Sequence, residues 1–289
     1  MTCLNDMYFF PEQTAQVVIE TGVRATVGVP VLEFPSTFAK GADDYIAKTE
    51  AFILKWRDDS HAKHQGRLGF AIAPHAPYTV SDDSFQKSHA LAVKYDVPMH
   101  VHVHETADEV EYSAKGKAGP ARHQSQHLLR PIANFKRMGV LDRHLIAVHV
   151  ANATKEDIRD LQEGGASVVH CPNSNLQLVS GLCPVGRMLD AGVNVALGTD
   201  STASNDSLDM FGELKLAAAL GKMVRGDSRS LTVAAALEMA TINGARAIGL
   251  GAEIGSLEAG KSADFIAVRT NVPEMQPIFS IERQLVYSA

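Results

Sequence analysis

The 289 residues of this chain suit one large domain, or one domain with a small appendage, and a hydrophobic content of 45% is enough to fill a sizeable core. A formal net charge of −6 argues against nucleic acid and against an anionic membrane as partners, since both attract basic surfaces. Three cysteines are too few, and odd in number, for a disulfide framework. The sequence has no apolar run of about 18 residues that would span a membrane, and no basic segment followed by an apolar one at its start. These features favour the cytoplasm.

Seven short apolar runs along the chain predict β-strands, at 2–7, 24–33, 67–74, 98–104, 145–150, 166–171 and 194–200. Longer segments with helical apolar spacing lie between them, most clearly from Pro11 to Thr21 and from Asp83 to Tyr95. Strands that are almost continuously apolar and alternate with helices predict a parallel sheet covered on both faces. Such a sheet is either a (β/α) barrel or a doubly wound sheet.

The residues at the ends of the strands favour the barrel. Side chains that titrate or bind metals end successive predicted strands: His75, Glu105, His149, His170 and Asp200. A barrel enzyme gathers its active site from the carboxyl ends of many strands, whereas a doubly wound sheet concentrates it at one switch point. The predicted fold is therefore α/β, a (β/α)8 TIM barrel over residues 1–250.

The pattern changes after Gly251. The segment 254–269, "IGSLEAGKSADFIAVR", predicts two short strands around a turn at Glu258–Lys261, with no helix. Residues 251–289 are therefore predicted to form part of a small β-sandwich appendage.

The stretch "PMHVHVHETADEV", at 98–110, contains a candidate metal ligand. Alternate residues of a strand share a face, so His100, His102 and His104 point the same way. One such histidine could simply be solvated or hydrogen-bonded, but three in a buried strand each need a partner. The histidine nearest the carboxyl end can bind a metal, and Glu105 follows just beyond the strand.

A second candidate region is "LGTDSTASND", at 197–206, where Asp200 ends an apolar strand. An aspartate there could also be a helix cap or a turn residue. Together with His149 in "IAVHVAN", however, it provides a histidine and a carboxylate on separate strands. With a divalent metal these groups support hydrolysis, because the metal lowers the pKa of bound water to about 7 and a carboxylate takes its proton.

Five motifs resemble the amidohydrolase superfamily, and within it the branch of 5-methylthioadenosine/S-adenosylhomocysteine deaminases and the related triazine hydrolases. They are "HVHVHETADEV", "HCPNSNLQLVSGLCPVGRMLDAGVNVALGTD", "ASNDSLDM", "ATINGARAIGL" and "GSLEAGKSADFIAV". The resemblance covers the chain from Cys3 to its last residue. It implies an enzyme that hydrolytically deaminates a small molecule, a purine nucleoside thioether, to the inosine analogue and ammonia.

The resemblance also implies one Zn²⁺ per subunit, with Fe²⁺ or another divalent metal as an alternative. His102 matches a metal ligand, and Asp200 matches both a ligand and the base that activates water. Glu105 matches the residue that carries a proton to the ring nitrogen and the leaving group. Asp200 and Glu105 thereby also contact the substrate.

Other positions match less directly. His149 matches a residue that stabilises the charge developing at the attacked carbon, and His75 matches a substrate contact. The motif at 170–175 matches one that shapes the rim, without a chemical step. His100 and His104 match no catalytic position, so a structural role is predicted for both.

One feature departs from the family pattern. Members carry a His-x-His pair on the first barrel strand, which supplies two zinc ligands, but no such pair precedes residue 98 here. The seven predicted strands match family strands two to eight. Both features predict a chain truncated at its N-terminus, and the appendage suggests truncation at the C-terminus as well. Such a chain should bind zinc weakly, because two ligands are missing. It should also self-associate through the open edge of the barrel. Two alternatives stay open: a hydrolase of triazines or other heterocycles, and a non-catalytic remnant.

Overall fold

A computed structural model describes residues 1–57, 66–116 and 127–289. Seven strands are hydrogen-bonded in chain order in one sheet, and each pairing with a recorded register is parallel. All seven predicted strands are present, with ends that differ from the prediction by at most three residues. They are β1 (Cys3–Met7), β2 (Arg24–Val31), β3 (Leu68–Pro74), β4 (Met99–Val103), β5 (Leu145–His149), β6 (Ser167–His170) and β7 (Asn194–Leu197).

The helices of the described residues alternate with these strands and continue beyond β7. Both helices predicted above are confirmed, and the second begins one residue early, after Ser81, whose side chain caps it by accepting the N–H of Ser84. In chain order they are α1 (Pro11–Thr21), α2 (Ala42–Arg57), α3 (Asp82–Tyr95), α4 (Ala107–Lys115), α5 (Pro131–Met138), α6 (Lys155–Gly164), α7 (Pro172–Gln177), α8 (Val185–Asp190), α9 (Thr202–Asn205), α10 (Met210–Arg225), α11 (Val233–Met239), α12 (Ile242–Ala247) and α13 (Ile281–Tyr287). No helix of the described residues is both long and apolar enough to span a membrane.

Burial of both sheet faces explains why the strands have almost continuous apolar sequences. All eight residues of β2 are buried. Helices α1 and α2 cover one side of β2 with a cluster that includes Ala15, Val18, Phe52 and Trp56. Removing this apolar surface from water on both faces is the main force that holds the layers together.

The described residues form two compact units. The first contains Met1–Val103 and Asp108–Ala147, and the second contains His104–Ala107 and Val148–Ala289. The first unit therefore carries β1 to β4 and the beginning of β5. The second carries the last residues of β5 together with β6, β7 and the helices from α6 onward.

The predicted β-strands of the appendage are wrong. Residues 251–289, all of which the structure describes, contain no strand; they contain a 3-10 helix at Pro273–Met275 and α13. A strand needs a neighbour for its backbone hydrogen bonds and an apolar surface for its side chains. The residues that suggested strands have no such surface, because Leu257, Phe265 and Ile266 are 74%, 65% and 56% exposed.

Close backbone packing inside the first unit can be tested at Gly28 of β2. A Cβ atom at this position would lie 2.8 Å from the carbonyl oxygen of Asp6 and 3.0 Å from the Cβ of Ala73. We expect Gly28→Ala to lower the free energy of unfolding by about 1–3 kcal/mol because the strands must move apart.

Gly244 in α12 is the matched control, because its Cβ would meet nothing within 4 Å among the described residues. Gly244→Ala should raise stability by up to about 1 kcal/mol through helix propensity. Urea unfolding of both variants is the measurement. Equal effects at the two positions would contradict the packing argument.

Candidate active site

His102 and His75 come together in the first unit. The Nδ1 atom of His102, near the end of β4, lies 2.9 Å from the carbonyl oxygen of His75, and the main-chain N–H of His102 donates to the same oxygen at 3.0 Å. Nδ1 therefore carries the hydrogen, and the lone pair of the ring is on Nε2. Histidines that bind metals usually donate their other ring N–H to a carbonyl or carboxylate in this way. The orientation of His102 fits the prediction that it is a metal ligand.

His75 is held as a neutral side chain. Its Nδ1 lies 2.9 Å from the hydroxyl of Thr79, and its ring centroid is 5.1 Å from that of His102. Burial and the neighbouring His102 lower the pKa of His75 to about 4. At neutral pH it can therefore offer a substrate an uncharged imidazole.

The two other histidines of the stretch at 98–110, His100 and His104, have partners consistent with structural roles. His100 is 8% exposed, and the Asn5 side-chain amide donates to its Nδ1 at 3.2 Å. His104 is fully buried in the second unit, with its Nδ1 3.6 Å from a carboxylate oxygen of Asp157.

In the second unit, three donors hold the carboxylate of Asp200 just after β7. The hydroxyls of Ser174 and Ser204 donate to Oδ2 at 2.6 and 2.7 Å, and the main-chain N–H of Ser201 donates to Oδ1 at 2.8 Å. Burial works to raise the pKa of Asp200, but these hydrogen bonds and the nearby His149 outweigh it and hold the pKa below its usual value. Asp200 is therefore a carboxylate at neutral pH, able to bind a cation or accept a proton.

His149 connects the polar groups of the second unit. Its Nδ1 donates to the side-chain oxygen of Asn175 at 2.9 Å, and its Nε2 lies 3.9 Å from Oε1 of Glu105 and 4.0 Å from Oδ2 of Asp200. Burial lowers the pKa of His149, although Asp200 and Asn175 act in the opposite direction. Asn175 thus fixes the ring so that Nε2 faces both carboxylates.

The second unit therefore brings together Glu105, His149 and Asp200 from three different strand ends. Glu105 follows β4, and its main-chain carbonyl accepts a hydrogen bond from the Asn152 side chain at 2.7 Å, which holds the loop in place. Two carboxylates near the same nitrogen of a neutral histidine can accept, hold and return a proton. Such an arrangement suits general acid–base catalysis.

The sequence predicted for Ser174 and Asn175 only the rim-shaping role of the motif at 170–175, and it predicted no role for Ser204. Ser174 and Asn175 lie in α7 and are 0% and 2% exposed, and they hold Asp200 and His149 through side-chain hydrogen bonds. The available signal was the run of small polar residues in "HCPNSN". His170 in the same motif is neutral, since burial and His149 lower its pKa to about 3, and its Nδ1 has no hydrogen-bond partner among the residues that the structure describes.

Known proteins resemble this chain in sequence and in fold. Residues 1–287 match the model of the amidohydrolase family. A 5-methylthioadenosine/S-adenosylhomocysteine deaminase from Teredinibacter turnerae is 43% identical over 99% of this chain, which spans 61% of that protein's length. A 5'-deoxyadenosine deaminase from Methanosphaera stadtmanae is 38% identical over 100% of this chain and 64% of its own length. A crystal structure of an adenosine deaminase from Xanthomonas campestris with bound zinc has a TM-score of 0.92 and 43% identity, covering 100% of this chain and 62% of that one.

Proposed function

The chain belongs to the amidohydrolase family, and we propose that the protein catalyses zinc-dependent hydrolytic deamination of a purine nucleoside thioether, 5'-methylthioadenosine or S-adenosylhomocysteine. The products are the inosine analogue and ammonia. One observation carries the proposal: the carboxylates of Glu105 and Asp200 approach Nε2 of the buried His149 at 3.9 and 4.0 Å. The substrate class is carried over from the deaminases that resemble this chain.

We propose His102 and Asp200 as metal ligands. The hydrogen bond from His102 Nδ1 to a carbonyl leaves Nε2 as the donor atom, and Asp200 is ionised, so both groups fit a zinc ion chemically. When bound, zinc supplies Lewis acidity that makes a water molecule a good nucleophile at neutral pH. Catalytic zinc sites usually have three protein ligands. Because only His102 and Asp200 are assigned here, we expect zinc to bind weakly and assays to need added zinc.

Proton transfer is assigned to the two carboxylates. Asp200 accepts a proton from the attacking water, because its pKa lies below its usual value and it is therefore ionised at neutral pH. Glu105 gives a proton to the purine ring nitrogen, takes up a second proton from the hydroxyl group on the attacked carbon as the carbonyl forms, and passes that proton to the departing ammonia. The proton that Asp200 took from water then returns to Glu105. His149 stabilises the charge that develops at the attacked carbon, and the neutral His75 contacts the substrate.

The test is ammonia release by the purified chain with added zinc. Methylthioadenosine, S-adenosylhomocysteine, adenosine and an aminated triazine are supplied in parallel, with a chelator and Asp200→Asn as negative controls. We expect one ammonia per nucleoside consumed, and no release in either control. Release from the triazine alone would favour the heterocycle hydrolase, and nucleoside binding without ammonia would favour the non-catalytic remnant.

A further inference from the structure

A second group of metal-binding side chains lies in the first unit, away from His75 and His102. It consists of His89 in α3, and Asp142 and His144 in the segment between α5 and β5. The carbonyl oxygen of His144 accepts the main-chain N–H of Met99, the first residue of β4, at 2.7 Å. The group therefore lies at the amino ends of β4 and β5, whereas His75 and His102 lie at carboxyl ends.

Two separations within this group are close to those of ligands around a zinc ion. Nε2 of His89 is 2.9 Å from Oδ2 of Asp142, and Nδ1 of His144 is 3.1 Å from the same oxygen. Each of the three residues offers one ligand atom within 4.8 Å of those of the other two. Ligands about 2.0–2.2 Å from a tetrahedral zinc ion are themselves roughly 3.3 Å apart. Small side-chain movements would bring all three atoms into contact with one ion.

Neighbouring groups already orient two of the three ligands. The main-chain N–H of His144 donates to Oδ1 of Asp142 at 2.8 Å, which turns Oδ2 toward the histidines. Nε2 of His144 lies 3.2 Å from Oδ1 of Asp96, so this nitrogen donates outward while Nδ1 faces inward. A carboxylate behind a histidine is the usual support of a zinc ligand, because it fixes the ring and increases its basicity.

The group is also accessible to an ion from solvent. The side chains of His89 and His144 are 16% and 9% exposed, and that of Asp142 is 36% exposed. An ion would reach the group on the side of Asp142, the most exposed of the three side chains. Without an ion, the same residues form a hydrogen-bonded clamp between α3 and the segment before β5, and the experiment below distinguishes the clamp from a metal site.

We propose that His89 Nε2, Asp142 Oδ2 and His144 Nδ1 bind one zinc ion, separate from the zinc assigned to His102 and Asp200. Two imidazoles and one carboxylate are a ligand set that zinc prefers. Because the ligands come from α3 and from the segment before β5, the ion cross-links parts of the chain 53 residues apart. Its role is to stabilise the first unit rather than to take part in deamination.

The experiment is a zinc titration of the full chain, stripped with a chelator and then competed against a chromophoric zinc indicator. We expect one tight equivalent in the wild type. His89→Gln and His144→Gln should each weaken it at least 100-fold, and Asp96→Asn should weaken it by about 10- to 100-fold because only the supporting carboxylate is altered. His102→Gln is the matched control and should keep the tight equivalent.

Two further measurements guard against misfolded variants. Co²⁺ added to the wild type should give the visible absorption of a tetrahedral nitrogen–oxygen site, and His89→Gln should lack it while keeping the wild-type circular dichroism. Zinc should raise the melting temperature of the wild type and of His102→Gln but not of His89→Gln. A tight equivalent that survives in His89→Gln and His144→Gln, or is lost only in His102→Gln, would overturn the proposal and leave the proposed deaminase intact. Absence of any tight equivalent would also overturn it.

Discussion

Glu105→Gln is expected to lower the rate of deamination by about 10²- to 10⁴-fold, the usual contribution of a general acid–base group. Glutamine keeps the shape of the side chain but cannot take up and release a proton. The carboxylate of Glu105 lies 3.9 Å from Nε2 of His149, within the polar cluster of the second unit. Since Glu105 is not assigned as a metal ligand, zinc binding should not change.

The measurement is the rate of ammonia release together with zinc content at equal protein concentration. Asp108→Asn is the control, because Asp108 is an exposed carboxylate only three positions along the chain, and its rate should match the wild type. Loss of zinc in Glu105→Gln would show that Glu105 is a ligand. An unchanged rate would show that another group carries the proton.

Asp157→Ala is expected to lower the free energy of unfolding by about 2–4 kcal/mol, because it removes a buried hydrogen-bonding carboxylate and weakens a helix cap. Asp157 is 3% exposed in its side chain and lies 3.6 Å from Nδ1 of the fully buried His104. The same carboxylate accepts the main-chain N–H of Thr154 at 2.8 Å and completes the cap of α6. The substitution therefore removes one of the two hydrogen bonds of the capping box and leaves His104 without its carboxylate.

Urea unfolding measures this effect, with Glu156→Ala as the control. Glu156 is the adjacent residue in the first turn of α6 but is exposed, so its removal should change stability by no more than about 0.5 kcal/mol. A loss below about 1 kcal/mol for Asp157→Ala would mean that the pair with His104 contributes little. Replacing both residues by leucine should cost less than the sum of the single changes.

The strands were predictable from sequence because burial of both faces gives each one a local signature. Their carboxyl ends were less predictable. The predicted strand at 194–200 ends at Leu197, and Asp200 adopts a left-handed backbone with φ 62°. Thr199 and Asp200 therefore follow the strand, whereas the prediction included them in it.

In the segment after Gly251, the sequence could not predict whether the apolar residues pair as strands. The apolar residues between Ile254 and Arg269 have the right local pattern for strands, but whether they pair depends on a distant partner. The same limit applied to the site. Glu105, His149 and Asp200 stood out because each follows a predicted strand, whereas the contact from Ser174 to Asp200 joins residues 26 positions apart and depends on how α7 packs.

His104, His149 and Asp200 share a left-handed backbone, with φ of 52°, 72° and 62°. At a left-handed residue the side chain departs from the strict alternation of a strand, so its direction is set by its own backbone conformation. The loop that follows each of these residues can then change in length or sequence during evolution without turning the neighbouring functional side chains away. The candidate site residues and the loops around them can therefore vary separately, as in barrels whose loops differ while the strand ends stay the same.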